Sequence, residues 1–188
     1  MKKLPVLLIS AIALFLLILP ISQLSAGQED YRLSALFSKL ALSENSGEAQ
    51  SIEKVIWEIW LENKNPPVTR ILNAGIQAMN AGRLKMAFQA FNEVVEMEPN
   101  FAEGWNKRAT IYYLLQDYSA SVKDIAVTLR LEPHHFGALS GLGLINTTLG
   151  RHKAAVKAFE QVLKIHPHML GARRHIKVLK EILRGEEK

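Results

Sequence analysis

The chain has 188 residues, 48% of them apolar and 22% charged, the mix of one ordinary globular domain with room for an extension. It contains no cysteine, which excludes disulfides, a lipid-modified cysteine, a thiol nucleophile and thiolate metal sites. Its formal charge of +5 falls once Lys2 and Lys3 are set aside, to a balance too mild to point to nucleic acid.

Residues 1–26 form a segment of their own. Lys2 and Lys3 precede an almost unbroken apolar run over residues 4–21, and Ser22, Ser25 and Ala26 come after it. A charged start, an apolar stretch and small residues at its end describe a secretory signal peptide cut after Ala26. A run of this length also suits an uncleaved membrane anchor, a reading that Leu24, three positions before the cut, keeps open. Either way, residues 27–188 are expected outside the cytoplasm, in the periplasm or on the inner membrane facing it.

Residues 27–67 read as a helical hairpin. Leu33, Leu36, Phe37, Leu40 and Ala41 recur at helical spacing over residues 30–42, and Asn45, Ser46 and Gly47 break the pattern. A second helix over residues 49–62 carries Ile52, Val55, Ile56, Ile59 and Trp60 on its apolar side with Trp57 beside them, and Pro66 and Pro67 are expected to end it. The two tryptophans are expected to be buried, with an exposed docking site as the alternative.

From residue 68 the chain repeats itself. Pro99, Pro133 and Pro167 stand 34 residues apart, which divides residues 68–169 into units over 68–101, 102–135 and 136–169. In register, Gly75, Ala109 and Gly143 share one column, Ala87, Ser121 and Ala155 a second, and Phe91, Ile125 and Phe159 a third. Small residues let two helices of a pair approach closely, the large ones fill the gap between pairs, and proline stops the second helix. Each unit reads as a helix pair, over residues 69–80 and 84–97, 102–115 and 118–131, 136–149 and 152–165. Gly82, Gln116 with Asp117, and Gly150 with Arg151 make the turns inside the pairs. A last helix over residues 169–183, within a C-terminal segment of residues 170–188, would cap the array. Its Arg173, Arg174, Lys177, Lys180 and Arg184 form a solvated face or a patch for an acidic partner or anionic lipid.

This pattern resembles the tetratricopeptide repeat family. Arg108, Ser121, Ile125 and Asn146 depart from its preferred residues, as do Ile71, Ala74 and Ala78 in the first unit. The stretches over residues 101–109 and 135–143, with the leader and the Trp-containing hairpin, look like a group of small exported members from alphaproteobacteria. The resemblance implies an all-α solenoid, a right-handed superhelix of antiparallel helix pairs, for which the upstream hairpin would be a degenerate leading repeat covering the end of the array.

It also implies a concave groove, lined by the first helix of each pair, that receives a protein or peptide. Carried over by register, its wall would hold Leu72, Asn73, Ile76 and Met79 from the first unit. The second would give Asn106, Lys107, Thr110 and Tyr113, and the third Ser140, Gly141, Leu144 and Thr147. The family's carboxylate-clamp positions hold Leu72, Ile76, Lys107, Gly137 and Gly141, with a single charge among them, so recognition of C-terminal acidic tails is not expected. Gly137, Gly141 and Gly143 crowd one short helix at a cost in helix propensity, and Gly137 and Gly141 would leave a thin floor for a ligand backbone. The six histidines, all in the second half, stand too far apart as repeat equivalents to converge on a metal. No nucleophile elbow or phosphate loop is present, so the expected protein is non-enzymatic and needs no metal or cofactor. Its membrane contact would be confined to an uncleaved leader. An envelope assembly factor or scaffold is the alternative role, and self-association through an end repeat remains open.

Overall fold

The computed structural model describes Gln28 and residues 30–186. The leader falls outside the described residues. Within them the chain is helical throughout: α1 Tyr31–Leu42, α2 Ser46–Leu61, α3 Pro66–Asn80, α4 Leu84–Met97, α5 Ala102–Leu114, α6 Tyr118–Leu131, α7 Phe136–Thr148, α8 His152–Ile165 and α9 Leu170–Glu186. No helix of these residues is long and apolar enough to cross a membrane.

The ends of the helices follow from their residues. Asn45 caps α2 by accepting from the amides of Gly47 and Glu48, so the polar break belongs to the start of this helix and extends it to Ser46. Pro66 and Pro67 begin α3, where a missing N–H costs nothing, whereas the sequence pattern had them only ending α2. The turn inside each pair passes through one residue with positive φ, namely Gly82 (70°), Gln116 (63°) and Gly150 (67°), at the same place in every unit. Glycine reaches this conformation freely, and Gln116 shows that the turn geometry outranks the preference.

Helices pair as α3 with α4, α5 with α6, α7 with α8, and α8 packs on α9. The small column works as spacing implies. A Cβ on Gly75 would stand 2.6 Å from Phe91, and one on Gly143 would stand 2.7 Å from Phe159, so each glycine admits the aromatic of its partner helix. The second unit replaces this apolar lock with a polar one. Arg108 donates to both carboxylate oxygens of Asp124 at 2.7 and 2.9 Å and to Asn92 at 2.8 Å. Ser121 donates to the Ala109 carbonyl at 2.7 Å. The two departures from the repeat pattern thus satisfy buried groups across the helix pair.

The leading hairpin is not stacked end to end on α3. It lies along the edge of the array where the prolines are, with α1 against α8 and α2 against α5. Leu33, Leu40, Ile56, Ile59 and Trp60 share one core with Phe136, Phe159, Val162 and Leu179. The register extended upstream gave the right helices and the wrong neighbour, because an amphipathic hairpin docks wherever a complementary apolar surface is offered.

The candidate functional site is a half-filled inner face

The first helices α3, α5 and α7 lie side by side, α5 touching both others, and make the inner layer of the array. The N-terminal part of that layer is covered by the chain itself. Trp60, 1% exposed, stacks on His135 at a centroid distance of 4.1 Å and an interplanar angle of 8°. Trp57 stands edge-on to Trp60, His135 and Phe136, and its ring tip fills the space where Gly137 lacks a side chain, 2.7 Å from an ideal Cβ. The Lys107 ammonium lies 5.4 Å from the Trp57 ring centroid.

Behind the tryptophans is a buried polar cluster. His135 Nδ1 accepts from the Ala138 amide and so caps α7, which leaves the proton on Nε2 to be donated to Glu103 at 2.9 Å. Glu103 also holds Lys107 at 2.8 Å and accepts from Asn106 at 3.0 Å. Burial pushes its carboxyl upward, but the Lys107 charge and the His135 hydrogen bond outweigh this and leave it below the ordinary value of 4.5.

Four further histidines act as tethers. His166 pairs with Glu53 at 3.1 Å, and this hydrogen bond, against the effect of burial and with help from the Trp57 N–H, holds the Glu53 carboxyl below its ordinary range. His168 Nε2 donates to the Ser43 carbonyl at 2.8 Å, His134 stacks on Phe37 at 4.9 Å, and His175 stacks on Phe159 at 4.8 Å. Glu98, Glu132 and His166 precede the three prolines, and each meets the leading segment, through Asn65 at 3.2 Å, Trp60 at 3.4 Å and Glu53 respectively. Repeat-equivalent Glu132 and His166 therefore hold the hairpin at two successive loops, while Glu98 ties the start of α3. Among the described residues, no three His, Asp or Glu side chains converge into a metal site.

The rest of the inner face is open. Asn106, Thr110, Tyr113, Ser140, Gly141 and Leu144 line a cleft of ≈ 180 Å³ between α5 and α7, with Ile125 and Ser121 of α6 at its back. Six of the twelve positions expected in a groove thus meet in one place. The others do not. Leu72 is 1% exposed and belongs to the core of the first unit with Val68, so it offers no groove surface, and Ile76 and Met79 pack against that core. Asn73 is exposed, Thr147 turns its hydroxyl back to the Gly143 carbonyl at 2.8 Å, and Lys107 is engaged by Glu103. Sequence register could not see the tryptophan cover. The signal that could have found it is the pairing of Gly137 with an upstream bulky residue that lacked a seat.

The tetratricopeptide repeat model matches residues 137–168. A TPR repeat-containing protein of Rhizobium etli is 32% identical over 154 residues, which covers 82% of this chain and 76% of that relative. The chain belongs to the tetratricopeptide repeat family. Solved structures agree on the fold of these TPR units. The first TPR of Spaghetti (RPAP3), bound to an HSP90 peptide, superposes with a TM-score of 0.60 at 19% identity, over 62% of this chain and 93% of that one. The Sgt2 TPR domain from Aspergillus fumigatus gives 0.61 at 18% identity, over 65% and 83%. MamA gives 0.57 at 19% identity over 78% of each chain. TPR proteins of this kind are typically interaction modules without catalysis of their own.

Proposed function

We infer that this TPR protein is a non-enzymatic binding module of the cell envelope that takes a polypeptide on its inner face. The observation that carries this reading is the open cleft between α5 and α7, set into the layer that the repeat architecture leaves free for a ligand. The TPR of Spaghetti, caught with an HSP90 peptide, supports it as a case of the same fold holding a peptide. The acidic tail of that peptide does not transfer, because Lys107, the cation that α5 carries beside the inner face, is occupied by Glu103 and Trp57. The leader supports a periplasmic location, either released or held at the inner membrane, where the module would act as an assembly factor or scaffold.

Two measurements test this. A photo-reactive side chain placed at Thr147 in living cells should form polypeptide adducts that one placed at exposed Lys123, on α6, does not. Equal labelling at both positions would remove the inner face as the site. Fusion of residues 1–30 to a phosphatase that is active only outside the cytoplasm should give activity, and a silent fusion would move the protein to another compartment.

A further inference from the structure

Gly137 and Gly141 stand one turn apart on α7, and their surroundings differ. At Gly137 the Trp57 ring occupies the place of the missing side chain. At Gly141 the nearest neighbour of an ideal Cβ is Ile125 Cδ1 at 3.5 Å, an ordinary contact, so nothing within the protein requires a glycine there. A helix-interior glycine without a packing reason is a loss to the fold, which a ligand can offset.

The cleft above Gly141 continues the seat that Trp57 already fills, since Gly137 belongs to both. None of its lining residues is charged. The hydroxyls of Thr110, Ser121 and Ser140 donate to the carbonyls of Asn106, Ala109 and Phe136 at 3.0, 2.7 and 2.8 Å, and Asn106 donates its amide to Glu103. The polar groups of the wall are therefore largely satisfied internally, and the surface left for a visitor is apolar. An ionised group entering it would lose water without gaining a partner. Its ≈ 180 Å³ lies below the roughly 300–1,000 Å³ of pockets that enclose whole small molecules, and fits one side chain.

We propose that Gly141 is the floor of a pocket that takes one bulky, uncharged apolar side chain from a partner polypeptide, seated beside Trp57 as Trp57 is seated on Gly137. This rests on the reading of the inner face as the binding surface and adds the chemistry of the anchor.

The test uses the full-length protein labelled for amide NMR and a set of capped peptides, uncharged outside one central residue that is Leu, Trp, Ala or Glu. The Leu and Trp peptides are expected to shift the amides of Ala138, Gly141 and Thr110 saturably, and the Ala and Glu peptides to bind about tenfold more weakly or worse. Gly141→Leu should abolish the response. Gly141→Ala, whose Cβ meets only Ile125, should weaken it several-fold while the tryptophan indole signals stay in place. Preference for Glu, saturable shifts that survive Gly141→Leu, or absence of saturable shifts at the cleft would each overturn the proposal. Shifts confined to Asn73 and Thr147 would overturn it while leaving the inner face as the binding surface. Absence of shifts anywhere would remove both.

Discussion

At the scale of single residues, two glycines of α7 separated by one position should respond to the same substitution with opposite sign. Gly143→Ala drives a methyl into the Phe159 ring, whose atoms stand 2.7 to 2.9 Å from it, and Phe159 is 2% exposed with nowhere to move. The expected loss is about 1–3 kcal/mol, larger than the gain in helix propensity. Gly141→Ala meets no such wall and should gain up to about 1 kcal/mol, since the propensity term then stands alone. Urea unfolding of the two variants decides the matter, and destabilisation by Gly141→Ala would mean that the pocket floor is already filled by a neighbour. The same residues show how far sequence reading reaches. Gly143 was legible, because its column partner Phe159 sits at a fixed distance along the repeat. Gly137 was not, because the group that explains it lies 80 residues upstream, outside the repeat frame.

At the scale of elements, the helices were legible almost to the residue because each carries its own period and its own stops, and the surface that α1 and α2 pack against was not. Both apolar stripes were visible, yet a stripe states that a helix will be covered and leaves open by what. The groove positions suffered in the same way. Register places Leu72, Asn106 and Ser140 as equivalents, but Leu72 is sealed in the core of the first unit while Asn106 and Ser140 line the cleft. Docking of the hairpin turns on Trp60, which is buried between His135, Phe136 and Phe37. Trp60→Ala removes the largest wholly buried side chain of that interface, and such deletions cost about 3–5 kcal/mol. Hydrogen exchange should then speed up through Tyr31–Leu42 and Ser46–Leu61 while α3 and α4 keep their protection, since those two pack around Phe91 and Val94 in a separate core. Uniform loss across all helices would show instead that the hairpin and the repeats fold as one unit.

At the scale of the molecule, the hairpin changes what kind of object the array is. A bare solenoid is held by contacts between neighbours only, and its curvature can flex at every junction. Here one hairpin is fastened to two successive loops, so that Trp60 meets Glu132, and Ser43 meets His168 and Glu53 meets His166 across more than a hundred residues of chain. Two of the groups at this junction are carboxylates whose pKa is lowered on folding, Glu53 by the His166 hydrogen bond and Glu103 by Lys107 and His135 acting against burial. A carboxyl that ionises more readily when folded stabilises the fold fully above its ordinary 4.5 and loses that contribution as the pH falls through the lower folded value. The contribution of these two groups to the urea midpoint should therefore decline as the pH falls below their ordinary 4.5 and both protonate. Replacing Glu53 and Glu103 together with glutamine should lower the midpoint at neutral pH, because Lys107 loses its counter-charge, and should flatten the acid limb. The slope separates this from general acid sensitivity of the chain, since carboxylates elsewhere are untouched by the substitutions. A double variant whose midpoint falls as steeply as that of the parent would show that the acid response arises away from the junction of hairpin and array.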